Sequence, residues 1–437
     1  MSGTVKKAIL TAAGLLCLAS AAFAQGGEFG AYHPYSVFGV GDILQPGSAY
    51  NRTMGGVGIA TRNVRYINQL NPAAVTARDS LSFMCDFSVY LDNRVFHEAD
   101  RKSARNTMNI NDLMMSFPIF KSSAMMMGIA PFSSTGYDFG YYEDDPRVIS
   151  EVGNLYYSFY GQGSIYQGFI GAGVTFFDRI SIGAQWTHYF GNVSKTRPVT
   201  AVSASALGFI SGTTQEIFAD GAKLGIQYEQ LVGKKFKVCV GATYRTPAYF
   251  SGYVTNYMSS DGSAEGDYIQ VQTDTLQNLP VRVGIAPEWG VGISVNYLNK
   301  FRAEVNYTRS DWSGMNLDKF EGFSCEGFSL GVSQAFRFGL EYTPNRNDVR
   351  YYFKRCAYRL GGYWQTGYYS YQGSRVVSRG ITFGVTLPVF RWSNGITLGA
   401  DIGKNGALDR SGIDETYFKF SLGLNLFDIW FQKPKYE

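Results

Sequence analysis

The chain has 437 residues, with 39 Lys+Arg against 35 Asp+Glu, a formal charge of +4, only 17% charged residues, and 31 Tyr, 32 Phe and 51 Gly. So small a net charge at this length offers little to a nucleic-acid backbone, and so aromatic a composition excludes a disordered chain. Beyond the N-terminal stretch no window holds the ~18 uninterrupted apolar residues of a membrane helix, which leaves a soluble protein or one that crosses a membrane as strands.

In chain order, Lys6-Lys7, the apolar run from Ala8 to Ala19 and "AFA" at 22 to 24 read as a secretory signal peptide over residues 1–24, cleaved after Ala24. Cys17 follows Leu16 inside the apolar run, which is not a lipidation site, so export without a lipid anchor is expected. Residues 25–79 carry glycine pairs, the turn prolines Pro34 and Pro46, and little sustained alternation. They read as an irregular unit placed before the first regular strand.

From residue 80 onward period-two alternation dominates, in runs of about ten residues, the length a tilted membrane-crossing strand needs. The runs fall near 80–92, 106–120, 122–135, 164–176, 179–191, 217–230, 235–248, 280–297, 300–310, 332–342, 356–367, 377–389, 394–403 and 416–427. In "ISIGAQWTHYF", Ile180, Ile182, Ala184 and Trp186 oppose Ser181, Gly183, Gln185 and Thr187. "FKVCVGATYR" and "YFKFSLGLNLF" repeat the pattern, with Phe, Val and Leu on one face and Gly, hydroxyl, amide or charge on the other. A soluble sandwich would carry abundant Lys and Glu on its outer face; here the polar face is glycine-rich and lightly charged, as suits a lumen.

Short connections at 121, 177–179, 232–235 and 298–300 alternate with longer ones at 93–105, 136–163, 192–216, 249–279 and 311–331, the signature of a barrel with short periplasmic turns and long external loops. The turn at 344–355 is longer than that rule predicts. An open sheet would leave unpaired N–H and C=O groups in hydrocarbon, so the strands must close. The expected fold is therefore all-β: a 14-stranded antiparallel transmembrane barrel over 80–427, with residues 25–79 as an N-terminal hatch in its lumen and 428–437 as a periplasmic tail. A ring of that size is too wide for its own side chains to fill, since ~8 strands is the limit at which they suffice.

The residues also carry a family resemblance. "NRTMGGVGIA" (51–60) followed by "NQLNPAAVTARDSLSF" (68–83) resembles the hatch of the FadL/TodX outer-membrane hydrophobic-compound transporters; "GATYRTPAYF" (241–250), the Leu279-Pro280 pair and "NYTRSDWSGM" (306–315) are similar to later elements of that family. The tail beyond Phe427 and the mildly apolar loop at 192–216 depart from it and point to a divergent, Bacteroidetes-like branch. The resemblance implies an outer-membrane channel for hydrophobic or amphipathic small molecules, by default long-chain fatty acids, with a movable hatch shaped by Gly55, Gly56, Asn71, Pro72 and Ala73. It also implies a sideways exit at the third strand. There Gly128 permits a bend and Pro131 removes a ladder donor, although Pro131 equally suits a strand end at the rim.

By parity Arg245, Arg302, Arg337 and Arg359 face the lumen with Glu304 and Glu341, so the arginines are candidate partners for a ligand's carboxylate head or, alternatively, for the hatch. Met125 and Met127 are candidates for an apolar path or for packing on the hatch. The histidines His33, His97 and His188 have no nucleophile pattern beside them, so no catalysis and no cofactor are expected. The cysteines Cys85, Cys239, Cys325 and Cys356 lack metal-ligand spacing, so no metal is expected either, and their disulfide state is open. "EDD" at 143–145 reads as a solvated acidic turn or a cation site. Expected partners are membrane lipids, the barrel-assembly machinery during biogenesis and a fatty-acid-like ligand. The rival expectation is an accessory or structural barrel in an outer-membrane secretion or assembly complex, bound to other outer-membrane proteins.

Overall fold

A computed structural model describes residues 32–78, 82–98, 101–201, 208–259, 269–320, 322–324, 327–389, 395–407 and 414–429. The predicted leader, Cys325 and the tail from 430 lie outside these residues. The wall consists of β1 (Ser82–Glu98), β2 (Arg101–Phe120), β3 (Ser123–Tyr142), β4 (Leu155–Phe176), β5 (Ile180–Ala201) and β6 (Phe209–Val232). β7 comes in two pieces (Phe236–Arg245 and Ser251–Ser259), as does β8 (Ile269–Thr275 and Glu288–Tyr297). β9 (Phe301–Asp311), β10 (Phe328–Leu330 and Val332–Tyr342), β11 (Ala357–Tyr371), β12 (Ser374–Pro388), β13 (Gly395–Ala407) and β14 (Asp414–Ile429) complete it.

Neighbouring strands pair antiparallel, and β14 returns to β1 in an unbroken register from Ser82↔Ile429 to His97↔Asp414. The ring of fourteen strands is closed.

Alternation decides which side of the ring is which. Ile182, Trp186, Leu224, Val240, Val305, Phe336 and Phe383 are exposed, while their strand neighbours Ser181, Gln185, Gln227, Cys239, Glu304, Arg337 and Thr382 are buried. An apolar belt exposed over most of a closed wall is the reverse of a soluble protein and fits a lipid-facing surface. On one rim the hairpins are tight: Phe177-Asp178 and Leu298-Asn299 each take paired positive φ near 50°, as two-residue turns require.

On the other rim several strands run past the expected boundaries. β1 reaches Glu98 and β2 begins at Arg101, where a loop over 93–105 was expected; β5 likewise continues to Ala201. Once a hairpin's lower half is in register, backbone pairing carries it on without apolar alternation. Pro131 does not end its strand, since β3 continues to Tyr142. Instead the β3–β4 register slips between Pro131 and Ser133, a bulge placed where proline cannot donate. Cys85, Cys239 and Cys356 are free thiols.

Candidate functional site in the barrel interior

The leading segment, residues 32–78, packs against the inward face of the wall. Its helix α1 (Ala49–Arg52) starts at Ser48, whose backbone N–H and Oγ both donate to Asn51 Oδ1, and Asn51 Nδ2 donates forward to Val57 O. Gly55 and Gly56, at φ of 71° and 79°, reverse the chain after the helix. Gly55 N then donates to Thr382 Oγ1 of β12 at 2.8 Å.

The stretch that follows crosses from β6 to β9. Gln227 Nε2 donates to Ile59 O (2.8 Å), Ser294 Oγ to Ala60 O (2.7 Å) and Ala60 N to Glu304 Oε1 (2.9 Å), while Thr61 Oγ1 donates to Glu304 Oε2. Asn71 ties three pieces of backbone together. Its Oδ1 accepts from Ala73 N (3.0 Å), and its Nδ2 donates to Ile59 O (2.8 Å) and, at 3.3 Å, to Ile226 O of β6. Pro72 opens the 3-10 turn Pro72–Thr76, in which Ala73 is fully buried.

The wall leaves room for this close approach. A β-carbon at Gly225 would sit 2.0 Å from Asn71 Oδ1, and one at Gly241 2.2 Å from Ile59 O. The glycine-rich inner face thus has a specific use: it admits the Asn71 side chain at Gly225 and the Ile59 main chain at Gly241.

The predicted inward charges divide into two groups. Arg302 donates to Tyr50 Oη (2.9 Å) and to Arg62 O (3.1 Å). Arg359 holds Glu341 (2.9 Å), Thr386 and Tyr66 Oη (2.9 Å), and lies over the stacked rings of Tyr50 and Tyr66. Both arginines are therefore engaged by the leading segment. Arg245 and Arg337 instead border a cavity of about 110 Å³, and the Nε of each has no hydrogen-bond partner. Arg52, Lys223 and Glu288 share the lining, which reaches Pro131 and Phe132 of β3. Sequence reasoning missed Arg52 and Lys223; the alternation of "AKLGIQY" in β6 already put Lys223 on the inward side.

It missed a second cluster because Arg94 fell in the stretch expected to be a loop. Arg94 is 2% exposed and pairs with Asp92 and Glu415 (both 2.8 Å), and Glu415 contacts His33 Nδ1 at 2.5 Å. This network fastens the start of the leading segment to β1 and β14.

The two methionines need correcting. Met125 and Met127 pair directly with Phe117 and Met115, on the face where Leu113, Met115 and Ile129 are exposed, so they look outward. Met126 is the inward residue, fully buried with Met114 against Ile67 and Val75. In a run of three methionines, side-chain type carries no parity, and only strand register separates them.

Gly128 and Pro131 lie at a seam. β2 and β3 pair only from Phe120↔Ser123 up to Leu113↔Ile129, beyond which no β2–β3 pairing is found among the described residues. From Phe132 to Tyr137 β3 is buried on both faces. The leading segment takes up the freed edge: Asp42 and Ile43 pair with Ser134 and Ser133, His33 N donates to Gly136 O (2.7 Å) and Leu44 N to Phe132 O (3.0 Å). On the β2 side, Asn111 Nδ2 donates to Gly47 O and the Arg105 guanidinium sits over the Tyr32 ring at 5.3 Å.

The remaining motifs have plain local uses. Glu143 accepts from Asp144 N, Asp145 N and Tyr157 Oη, and Asp145 caps the helix α2 (Pro146–Val152). His188 meets Asp220 at 2.9 Å, partly exposed on the outward face between Trp186 and Phe190. Among the described residues no group of three or more metal-ligating side chains converges.

A closed antiparallel ring with an exposed apolar belt and a polar, tightly packed interior defines an outer-membrane-type β-barrel. The chain belongs to the BamG family, whose model matches residues 4–437. Among solved structures it is similar to the CymD monoaromatic hydrocarbon channel (TM-score 0.57, 14% identity, 90% of this chain and 100% of that one). It is also similar to the Ralstonia pickettii toluene transporter TbuX (0.56, 14%, 87% and 98%) and to a Pseudomonas aeruginosa FadL homologue (0.57, 8%, 89% and 99%). At these identities the likeness is one of fold, and it matches the FadL/TodX resemblance read from the sequence. No curated protein matches.

Proposed function

We propose that this protein is an accessory or structural barrel of an outer-membrane assembly or secretion complex, its lumen stoppered by residues 25–79 acting as a fixed hatch. The observation that carries this reading is the fastening of residues 33–73 to β1, β3, β6, β8, β9, β11, β12 and β14. Among the described residues, one cavity of about 110 Å³ is edged by Arg52, Lys223, Arg245 and Arg337 and a second of about 90 Å³ shares Ile43, Leu44 and Gln45 with it, whereas small-molecule sites run to roughly 300–1,000 Å³ with mostly apolar walls. The BamG family name hints in the same direction, toward the barrel-assembly machinery. Export by the leader cleaved after Ala24, a periplasmic tail that follows Ile429 instead of Phe427, and lipid around the belt complete the picture.

Purification of the native protein in a mild detergent tests it. Stoichiometric outer-membrane partners are expected; a lone barrel carrying extracted fatty-acid-like lipid, identified by mass spectrometry, overturns it.

One observation favours a second reading, a passive carrier of hydrophobic or amphipathic molecules with long-chain fatty acid as the default. The cavity reaches Pro131 at the seam, where a ligand whose head rests on Arg245 and Arg337 would leave sideways past Gly128 if the leading segment moved. The fold neighbours titled hydrocarbon channel and toluene transporter support it at the level of architecture.

A further inference from the structure

We propose that the free edge of β2 above the seam docks an acidic, extended segment of a partner protein, which adds to it as a strand. The inference deepens the subunit reading and rests on it. On one side β2 pairs with β1 from Lys102↔His97 to Ile110↔Val89. On the other, pairing with β3 stops at Leu113, and the leading segment takes β3's edge at Ser133 and Ser134 rather than that of β2. Among the described residues, the β2 edge from Lys102 to Ile110 is thus a row of backbone donors and acceptors with no backbone partner.

The upper part of this row, from Lys102 to Asn106, lies past the lipid belt. The outward side chains of β2 are exposed and apolar at Ile119, Met115, Leu113 and Ile110, stay apolar at the half-buried Met108, then become polar at Asn106 and Lys102. Unpaired strand edges recruit extended chain by main-chain hydrogen bonding, and alternate side chains supply the selectivity.

Charge selects the occupant. The stretch "RKSARNTMNIN" at 101–111 holds three basic residues and no acidic one. A second copy would set basic edge against basic edge, which is unfavourable across a strand pair, whereas an acidic strand is attracted. Arg105 lies over Tyr32, so a strand docked here also adjoins the start of the leading segment.

The test uses the purified full-length barrel and a fluorescent synthetic peptide of about eight residues alternating threonine and glutamate. Saturable binding is expected, with new amide protection over 102–110 and affinity roughly tenfold weaker in Lys102→Glu. A peptide of the same sequence with every backbone nitrogen methylated should not bind, because it has no N–H left to donate to the ladder. Equal binding by the methylated peptide, or by a lysine analogue, overturns strand addition by an acidic segment, and so does cross-linking of two copies through this edge. If the threonine-glutamate peptide fails while partners still co-purify, the docking inference falls and the subunit reading stands. The converse result removes the subunit reading and with it the partner.

Discussion

Asn71 shows how much of the interior depends on single polar side chains. Its amide serves Ala73, Ile59 and Ile226 at once, so Asn71→Ala takes the acceptor from the buried Ala73 N–H and one donor each from the Ile226 carbonyl and the Ile59 carbonyl, which keeps Gln227. The expected loss is about 1–3 kcal/mol from the docking of the leading segment on the wall. Faster hydrogen exchange over 59–76, with β1–β14 still protected, would show that loss; unchanged exchange would mean that the wall alone holds the turn. Glu304 gathers Ala60 and Thr61 in the same way. Glu304→Ala should therefore free the 59–61 crossing, whereas Glu304→Gln, which keeps an acceptor for one of them, should do so less; equal exchange in the two variants would contradict this.

In the long turn between β10 and β11, the Tyr351 and Arg350 N–H groups donate to Asp348 and hold its carboxyl below the usual carboxylate range, the Tyr351 bond contributing most. Because the folded value is depressed, the order that Asp348 brings is fully present above the ordinary carboxylate range and is lost as pH falls through the depressed value. Amide protection at Arg350 and Tyr351 should thus be flat near neutrality and drop only in acid, and Asp348→Asn should abolish that dependence.

At the scale of elements, the inner glycines act as a socket. Period-two reading recognises them as the polar face but cannot say why glycine and not serine is used. The answer lies in the close approach of the Asn71 side chain to β6 and of the Ile59 main chain to β7. Gly225→Val and Gly241→Val suit strand propensity yet place carbon where Asn71 and Ile59 already sit. Both variants should fold as heat-modifiable barrels with the leading segment displaced, visible as new protease cleavage within residues 50–75. Intact protection would show that the wall yields instead. β3 illustrates the reverse case: Gly128 and Pro131 were legible as a weak point, but what covers the weak point was not. The sequence holds no local sign that Asp42-Ile43, roughly ninety residues earlier, lies along Ser133-Ser134.

At the scale of the whole molecule, the leading segment and the ring can be tested apart. Fourteen strands enclose more space than their own side chains fill. Removing residues 32–78 should therefore open a water-filled pore with large single-channel conductance in planar bilayers, while the intact protein stays nearly silent. Large conductance in the intact protein would remove the hatch. The same measurement bears on the carrier reading, since a route that leaves through the seam carries a ligand without an aqueous pore.

By itself the sequence determined the ring, the number of its strands and which face meets lipid, because each rests on a two-residue period and a closure rule that act locally. It also placed Arg245, Arg302, Arg337 and Arg359 inward. Only the tertiary structure decided that Arg302 and Arg359 are engaged by Tyr50, Arg62 and Tyr66 while Arg245 and Arg337 border a cavity, that Met126 and not its neighbours faces in, and that the leading segment takes β3's edge at the seam. Those outcomes depend on which distant residues meet: Ala60 and Glu304 stand 244 positions apart, and no local pattern encodes a partner at that range.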